Sequence, residues 1–335
     1  MFSPLKLCVV GCGRVSGSHL DGIMEATDKI ELAALVSRNS EKAASFQQKY
    51  GAGKIYSSLE YALDDPEIEA VDLCLPNHLH MDAVIKSLRA GKHVLVEKPM
   101  ANTVAECEAM NRAARETGKT LMVGQSRRFF DAVLKSQKIL DDGEIGDLVS
   151  ITAFLFAYLE SPPTDWWREK DKAGGLMIPI WGSHIIDYIL WMFKEMPERV
   201  HCEACSVNSN WEGEDETTIL LGFSGDRHAT IKMSWNTRLA PEEAEWDGKG
   251  KMLNSSDIIY ERYIQGTKGT LHLNDETKLS KNGQVILDGE QKPGNFALQI
   301  IEFADAIREN REPLTGGSRI IDVIRVQEAA LRAIT

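Results

Sequence analysis

Hydrophobic residues follow two rhythms along this chain. Over roughly the first 125 residues, short aliphatic runs alternate with helical patterns. The runs are 5–10 (LKLCVV), 31–37 (ELAALVS), 70–75 (AVDLCL), 93–97 (HVLVE) and 120–124. Strands alternating with helices of about 10–15 residues predict a parallel, doubly wound sheet whose ligands sit at the strand C-termini. Thr103 and Glu106 form a capping box at the start of one of these helices. Farther on, residues 147–159, 198–208, 214–223, 227–236, 257–264 and 269–273 read as strands, most of them separated by short polar turns. The alternation in DETTILLGF and HATIKMSWN predicts one buried and one wetter face. Two amphipathic helices, about 294–309 and 318–334, are expected to pack back onto the core, and residues 240–256 are the candidate mobile loop.

Composition narrows the class. With 335 residues, two domains are expected. Hydrophobic residues at 43% and charged residues at 26% suit a globular protein able to bury a large core. The net charge of −12, with scattered Lys and Arg, argues against a nucleic-acid partner. No run approaches the ~20 apolar residues of a membrane span, and the N-terminal run is too short for a signal peptide. A cytoplasmic setting is therefore expected. Six cysteines read as small core residues in a reducing compartment. Cys202 and Cys205 form a lone CxxC within a strand pattern, which puts the thiols on opposite faces, and no metal site is expected.

Candidate chemistry gathers at the ends of the early runs. The first run enters Gly11-Cys12-Gly13-Arg14-Val15-Ser16, a partial dinucleotide fingerprint with serine where the third glycine is usual. Gly11 permits the tight turn and Gly13 lets backbone approach a pyrophosphate at a helix N-terminus. The second run ends at Ser37-Arg38-Asn39, where NAD enzymes place an acid for the ribose hydroxyls. No carboxylate is available there, and Ser37 with Arg38 suits a 2′-phosphate, favouring NADP(H) with NAD(H) possible. The third run ends at Pro76-Asn77-His78-Leu79-His80, and the fourth at Glu97-Lys98-Pro99, on the edge where a nicotinamide is expected.

Together VVGCGRVSGSHL, PNHLH, LRAGKHVLVEKPMA, VGQSRRFFD and WREKDKAGGLMIPIWGSHIID resemble the glucose–fructose oxidoreductase / inositol dehydrogenase / MocA family, in the family's order and over most of the chain. The resemblance implies an N-terminal Rossmann domain, 1–124, and a C-terminal α/β domain with a large open, mostly antiparallel sheet, 125–335, that often serves oligomerisation. It implies hydride transfer between a nicotinamide and a secondary alcohol or ketone of a sugar, cyclitol or related polyol, in a homo-oligomer. His184 would take the hydroxyl proton and Lys98 would stabilise developing alkoxide charge. Gly11, Gly13, Arg14, Val15, Ser16, Ser37, Arg38, Pro76, Asn77, His80, Glu97 and Lys98 are the expected cofactor contacts. Arg128 and Arg168 are candidates to hold an anionic substrate or to anchor a domain interface. Trp166, Trp167 and Trp181 are read either as a stacking surface for a sugar or as core, and Asp187 as a substrate or histidine contact or as a helix-surface or interface residue.

One departure stands out. Many members carry an aspartate four residues before the histidine, and here that position is Ile180. An isoleucine cannot accept a proton or orient an imidazole. This leaves open a nicotinamide-binding regulator on the same scaffold, or a glycosidase that uses its cofactor transiently.

Overall fold

A computed structural model describes residues 3–238 and 258–334, so the candidate loop at 240–256 lies outside the described residues. The chain divides into two compact units. One holds the residues through Ser126 together with Lys292–Ile321, and the other holds Arg127–Gln291 together with the residues from Asp322 on.

In the first unit, β1 (Leu5–Val10), β2 (Ile30–Val36), β3 (Lys54–Tyr56), β4 (Ala70–Leu73), β5 (His93–Glu97) and β6 (Leu121–Gly124) form a six-stranded sheet. All its pairings are parallel, in the order β3-β2-β1-β4-β5-β6. This is the parallel, doubly wound sheet foreseen from the alternating runs. Helices α1 (Ser16–Glu25), α2 (Ser40–Tyr50), α3 (Leu59–Leu63), α4 (His80–Arg89) and α5 (Val104–Thr117) connect the strands. Leu7, Cys8 and Val9 are all fully buried, because helices cover both faces and polar alternation is lost. Strand β3 escaped the sequence reading, its three residues being too few to show a period. The capping box at Thr103 and Glu106 is formed. Beside β6, Val123 donates to the Thr315 carbonyl at 2.9 Å, and the Thr315 hydroxyl donates to the Val123 carbonyl at 2.7 Å. The edge strand is thereby closed.

In the second unit, eight strands pair in the order β14-β13-β12-β11-β7-β10-β9-β8. They are β7 (Leu148–Phe156), β8 (Arg199–Cys205), β9 (Glu216–Gly222), β10 (His228–Ser234), β11 (Ile259–Gly266), β12 (Thr270–Asn274), β13 (Lys278–Lys281) and β14 (Gln284–Asp288). Only β7 and β10 run parallel, so the sheet is mostly antiparallel, as the resemblance implied. The β13–β14 hairpin was missed, although Asn282-Gly283 announced it. Their φ angles of 50° and 79° are those of a tight hairpin turn that favours these two residue types. Cys202 is buried and Cys205 exposed, on opposite faces of β8 as read, and no disulfide joins any of the described cysteines.

Helices α6 (Asp131–Asp141), α7 (Lys170–Ala173), α8 (Met177–Ile180) and α9 (Gly182–Phe193) belong to this unit. The run IPIWGSHIIDYILWMF is thus two helices broken at Trp181, which stands at φ −104°, ψ −36°. The two C-terminal helices are α10 (Asn295–Arg308) and α11 (Gly317–Ala333). Among the described residues no single helix is long and apolar enough to cross a membrane. The stretches Lys170–Ile180 and Gly182–Phe193 meet that test only as a pair bent by 48°, and most of α9 is buried.

Helix α1 meets α10 at Gly22, where an added Cβ would lie 2.8 Å from the Ala297 nitrogen and 2.9 Å from the Phe296 Cβ. The contact is largely backbone and cannot yield cheaply. Gly22→Ala should therefore destabilise the fold by about 1–3 kcal/mol, the usual cost of overpacking. A lowered denaturant midpoint at unchanged slope would show it, and an unchanged midpoint would contradict it.

Candidate active site

The loop after β1 has the form of a phosphate cradle. Gly11 stands at φ +101°, and a Cβ there would fall 2.5 Å from the Cys74 carbonyl oxygen, so only glycine fits. A Cβ on Gly13 would meet nothing within 4 Å, leaving backbone open to a ligand. Ser16 donates its hydroxyl to the Gly13 carbonyl at 2.7 Å, which fixes the loop. Val15, at the cap position of α1, supplies no side-chain hydrogen bond, so no cap competes for the first amides of the helix. Open backbone and uncapped amides fit a dinucleotide pyrophosphate. Arg14 lies on the same loop, where burial lowers its pKa and the charge of Glu97 opposes that shift.

At the end of β2, Ser37 Oγ donates to the Asn39 carbonyl at 3.0 Å and accepts from the Asn39 amide at 3.1 Å. Asn39 in turn caps α2. Arg38 is exposed and makes no ion pair among the described residues. Past β4, Pro76 leads into a short turn and Asn77 is buried. The fully buried His80 places Nδ1 3.0 Å from the Pro99 carbonyl and Nε2 2.8 Å from the Leu75 carbonyl. Its ring ties the loop after β4 to the Lys98–Pro99 turn after β5. That peptide bond is cis, and Lys98 is half-buried.

Beneath this turn lies a charged chain that the sequence reading did not find. Glu97 Oε1 is 2.9 Å from His19 Nε2, and His19 Nδ1 is 2.8 Å from Asp72 Oδ2, all three side chains being buried. Burial works against a charged His19, but the Asp72 carboxylate more than offsets it and the pKa stands well above the ordinary range. Burial likewise opposes an ionised Glu97, yet its hydrogen bond to His19 leaves the pKa lowered. One available signal was Asp72, an acid inside AVDLCL, since an acid in a run buried on both faces needs a basic partner.

In the second unit, His184 lies near the start of α9, almost buried, its ring 6.3 Å from that of Trp181 at an interplanar angle of 73°. Arg127 also approaches Trp181, its Cζ 5.0 Å from the ring and its guanidinium paired with Glu276. Arg127, not singled out in the sequence, is therefore the arginine of the Arg127-Arg128 pair that neighbours the histidine helix through Trp181. Ile180 is 2% exposed. Glu214 accepts from the Leu176 and Ile178 amides at 3.1 and 2.9 Å, holding the glycine-rich lead-in to α8. Trp167 is buried and stacks on Trp235 with centroids 5.7 Å apart, and both help line a small apolar recess with Trp181, Leu155 and Leu159. Trp166 meets Trp167 edge-on, and Arg168 donates to the Asn210 carbonyl at 2.8 Å.

Residues 5–125 match the oxidoreductase family with an NAD-binding Rossmann fold, and residues 133–272 match the GFO/IDH/MocA C-terminal domain. The chain belongs to the Gfo/Idh/MocA family. It is similar to 4-carboxy-2-hydroxymuconate-6-semialdehyde dehydrogenase of Sphingobium sp., at 25% identity over 96% of each chain. It is also similar to scyllo-inositol 2-dehydrogenase (NADP(+)) of Bacillus subtilis, at 25% identity over 98% of this chain and 93% of the relative. Among solved structures, aldose-aldose oxidoreductase from Caulobacter crescentus in complex with glycerol superposes with a TM-score of 0.85 at 25% identity. That likeness covers 99% of this chain and 97% of the other. This member of the Gfo/Idh/MocA family is an NAD(P)-dependent oxidoreductase.

For this Gfo/Idh/MocA member, two of the expected substrate contacts are engaged with each other. Arg128 Nε and Nη2 donate to the two carboxylate oxygens of Asp187, each at 2.6 Å, and both side chains are buried. Asp187 is therefore neither a helix-surface residue nor, with Arg128 on both oxygens, an open acceptor. Burial raises its pKa and Arg128 opposes that rise. Arg128→Ala should cost about 3–5 kcal/mol, because it strands a buried carboxylate, while replacing both partners with apolar residues should restore most of the loss. Denaturant melts of the single and double variants test this, and additive losses would refute the pairing as the source of the cost.

Proposed function

We propose that this oxidoreductase transfers hydride between NADP(H) and a secondary alcohol or ketone of a sugar, cyclitol or related polyol. The observation that carries the reading is the end of β5, where a buried, anchored Glu97 is followed by a half-buried Lys98. The C-terminal edge of a parallel sheet is where such folds hold their ligands. The names of two relatives support the class, one acting on scyllo-inositol and one on an aldose.

The nicotinamide, when bound, takes up or delivers the hydride. Lys98 donates a hydrogen bond to the reacting oxygen and stabilises the charge that builds there. An imidazole nitrogen of His184 takes the hydroxyl proton during oxidation and returns it during reduction. With Ile180 four residues earlier in the chain, no carboxylate at that position assists the imidazole, and the ring of Trp181 lies beside it. Gly11, Gly13 and the first amides of α1 hold the pyrophosphate, with Arg14, Pro76, Asn77 and His80 shaping the cofactor groove. Ser37 and the exposed Arg38 receive a 2′-phosphate, and the lack of any acid at that strand end supports NADP(H) over NAD(H).

The protein acts as a homo-oligomer in the cytoplasm. Alternate residues on the second sheet support association: Ala153 and Leu155 are buried, whereas Phe154 and Phe156 are half-buried and Leu220 is 41% exposed. The absence of disulfides among the described cysteines supports a reducing compartment.

A panel of cyclitols, aldoses and their ketones with NADP+ or NADPH tests the reaction. Lys98→Met should lower kcat about 10²–10³-fold and His184→Asn about 10²–10⁴-fold, with little change in NADPH affinity. Tight NADPH binding without turnover of any panel member would sink the catalytic reading. In a separate fluorescence titration, Arg38→Ala should weaken NADPH about ten- to a hundredfold relative to NADH, the worth of a charged hydrogen bond. Equal effects on both cofactors would remove the 2′-phosphate assignment.

A further inference from the structure

A second cleft opens in the first unit, away from the glycine loop. Thr120 and Leu121 lie in its lining, where β6 begins, whereas the glycine loop follows the C-terminal end of β1. All strands of this parallel sheet start at one edge, so the cleft lies at the edge opposite that loop. It encloses about 300 Å³, the lower end of the range for small-molecule sites. Its walls are the last turns of α5, the turn into β6, the loop after α10 and the first residues of α11. These walls are fastened to one another. Asn111 Nδ2 on α5 donates to the Gly317 carbonyl at 3.0 Å, and a Cβ on Gly317 would collide with Asn111 Oδ1. The bonds between Val123 and Thr315 tie the segment before α11 to β6. The cleft is a built feature of this unit.

The charges that line it do not balance. Glu312, the one carboxylate in the lining among the described residues, is engaged by the Ser318 hydroxyl and, at 3.6 Å, by Arg319 Nε. Arg311 is held by Glu302 and Glu309 at 2.6–2.8 Å. Arg115 and Lys119 remain, and neither makes a hydrogen bond or an ion pair among the described residues. Lys119 is half-buried, an uncommon place for an ammonium without a counter-charge. Burial, followed by the charge of Lys119, pushes the neighbouring His93 down to about 4, so that ring is neutral at pH 7 and accepts from the Thr120 amide at 3.1 Å. Two uncompensated cations therefore line one cleft in a chain whose net charge is −12.

We propose that this cleft binds a small anionic metabolite, one that carries a phosphate or carboxylate group on a polar body, with Arg115 and Lys119 as its charge partners. A guanidinium fork offers two parallel hydrogen bonds to such a group, and an ammonium offers a point charge. Thr120 and Ser318 lie in the same lining and bring hydroxyls to the polar body. At the edge opposite the glycine loop, this ligand is separate from the dinucleotide. The proposal stands whatever reaction Lys98 and His184 perform.

The test reads the site itself. Trace acetic anhydride labels unprotonated amines, and labelling of Lys119 in the intact protein is followed by mass spectrometry against the exposed Lys268. The probes are glucose 6-phosphate and citrate, with glucose, and sodium chloride at matched ionic strength, as controls. A bound anion covers the amine and favours its protonated form, so at least one anionic probe should lower Lys119 labelling saturably, by about threefold or more, with Lys268 unchanged. Protection by one probe alone tells phosphate from carboxylate. Arg115→Gln alters an exposed side chain that bonds nothing, and should weaken the protecting probe about tenfold or more, the worth of a charged hydrogen bond. Circular dichroism checks the fold of the variant, and the labelling of the unaltered protein decides alone where the variant does not fold. A probe held at the glycine loop does not register at Lys119. No protection by either anion, equal protection by glucose or sodium chloride, or an unchanged probe affinity in folded Arg115→Gln overturns the proposal.

Discussion

Burying His19 between Asp72 and Glu97 is the constraint on which the first unit turns. Charges in an apolar interior are costly unless each has a partner, and here each completes the next. The consequence is geometric. The glycine loop runs into α1, which carries His19; Lys98 follows Glu97 directly; and Asp72 lies on the strand between β1 and β5. The glycine loop and Lys98 are therefore registered to one hydrogen-bonded chain. Gly124 is small for the same reason, since any side chain there would displace the Glu97 carboxylate.

The second unit uses the same device differently. Arg128 and Asp187 neutralise one another inside the packing of α9, and Glu276 takes up Arg127. Glu214 fixes the amides that lead into α8. The helix breaks at Trp181, which separates Ile180 from the helix of His184. In a continuous helix, residue 180 would stand one turn behind the histidine; here it closes a short helix of its own and is buried among apolar neighbours. Residue 180 is thus taken up by packing, and Trp181 is a neighbour of the imidazole.

Much of the architecture was legible in the chain. Parallel strands covered on both faces become continuous aliphatic runs, and half-covered antiparallel strands alternate, so both sheets announced themselves. The capping box at Thr103 and the opposed thiols of Cys202 and Cys205 followed from local geometry. What failed was either too short, as with β3, or passed over, as with the Asn282-Gly283 turn of the β13–β14 hairpin. Among the side chains, Arg128 was read as holding an anionic substrate or anchoring an interface and Asp187 as a contact or a surface or interface residue, but a list of charges carries no information about which of them meet.

By itself, the sequence determined where backbone must turn and which surfaces must be covered, because glycine conformations and hydrophobic periods are local properties. It placed Gly11, Gly13 and Lys98 at strand ends and marked Ile180 as the departure from the usual pattern. Tertiary structure alone decided the charge partners. His19 meets residues 53 and 78 positions away, and Arg128 meets one 59 positions away. Such pairings are set by how elements stack, and electrostatic energy depends on that spacing and on the exclusion of water, neither of which is written in the order of residues.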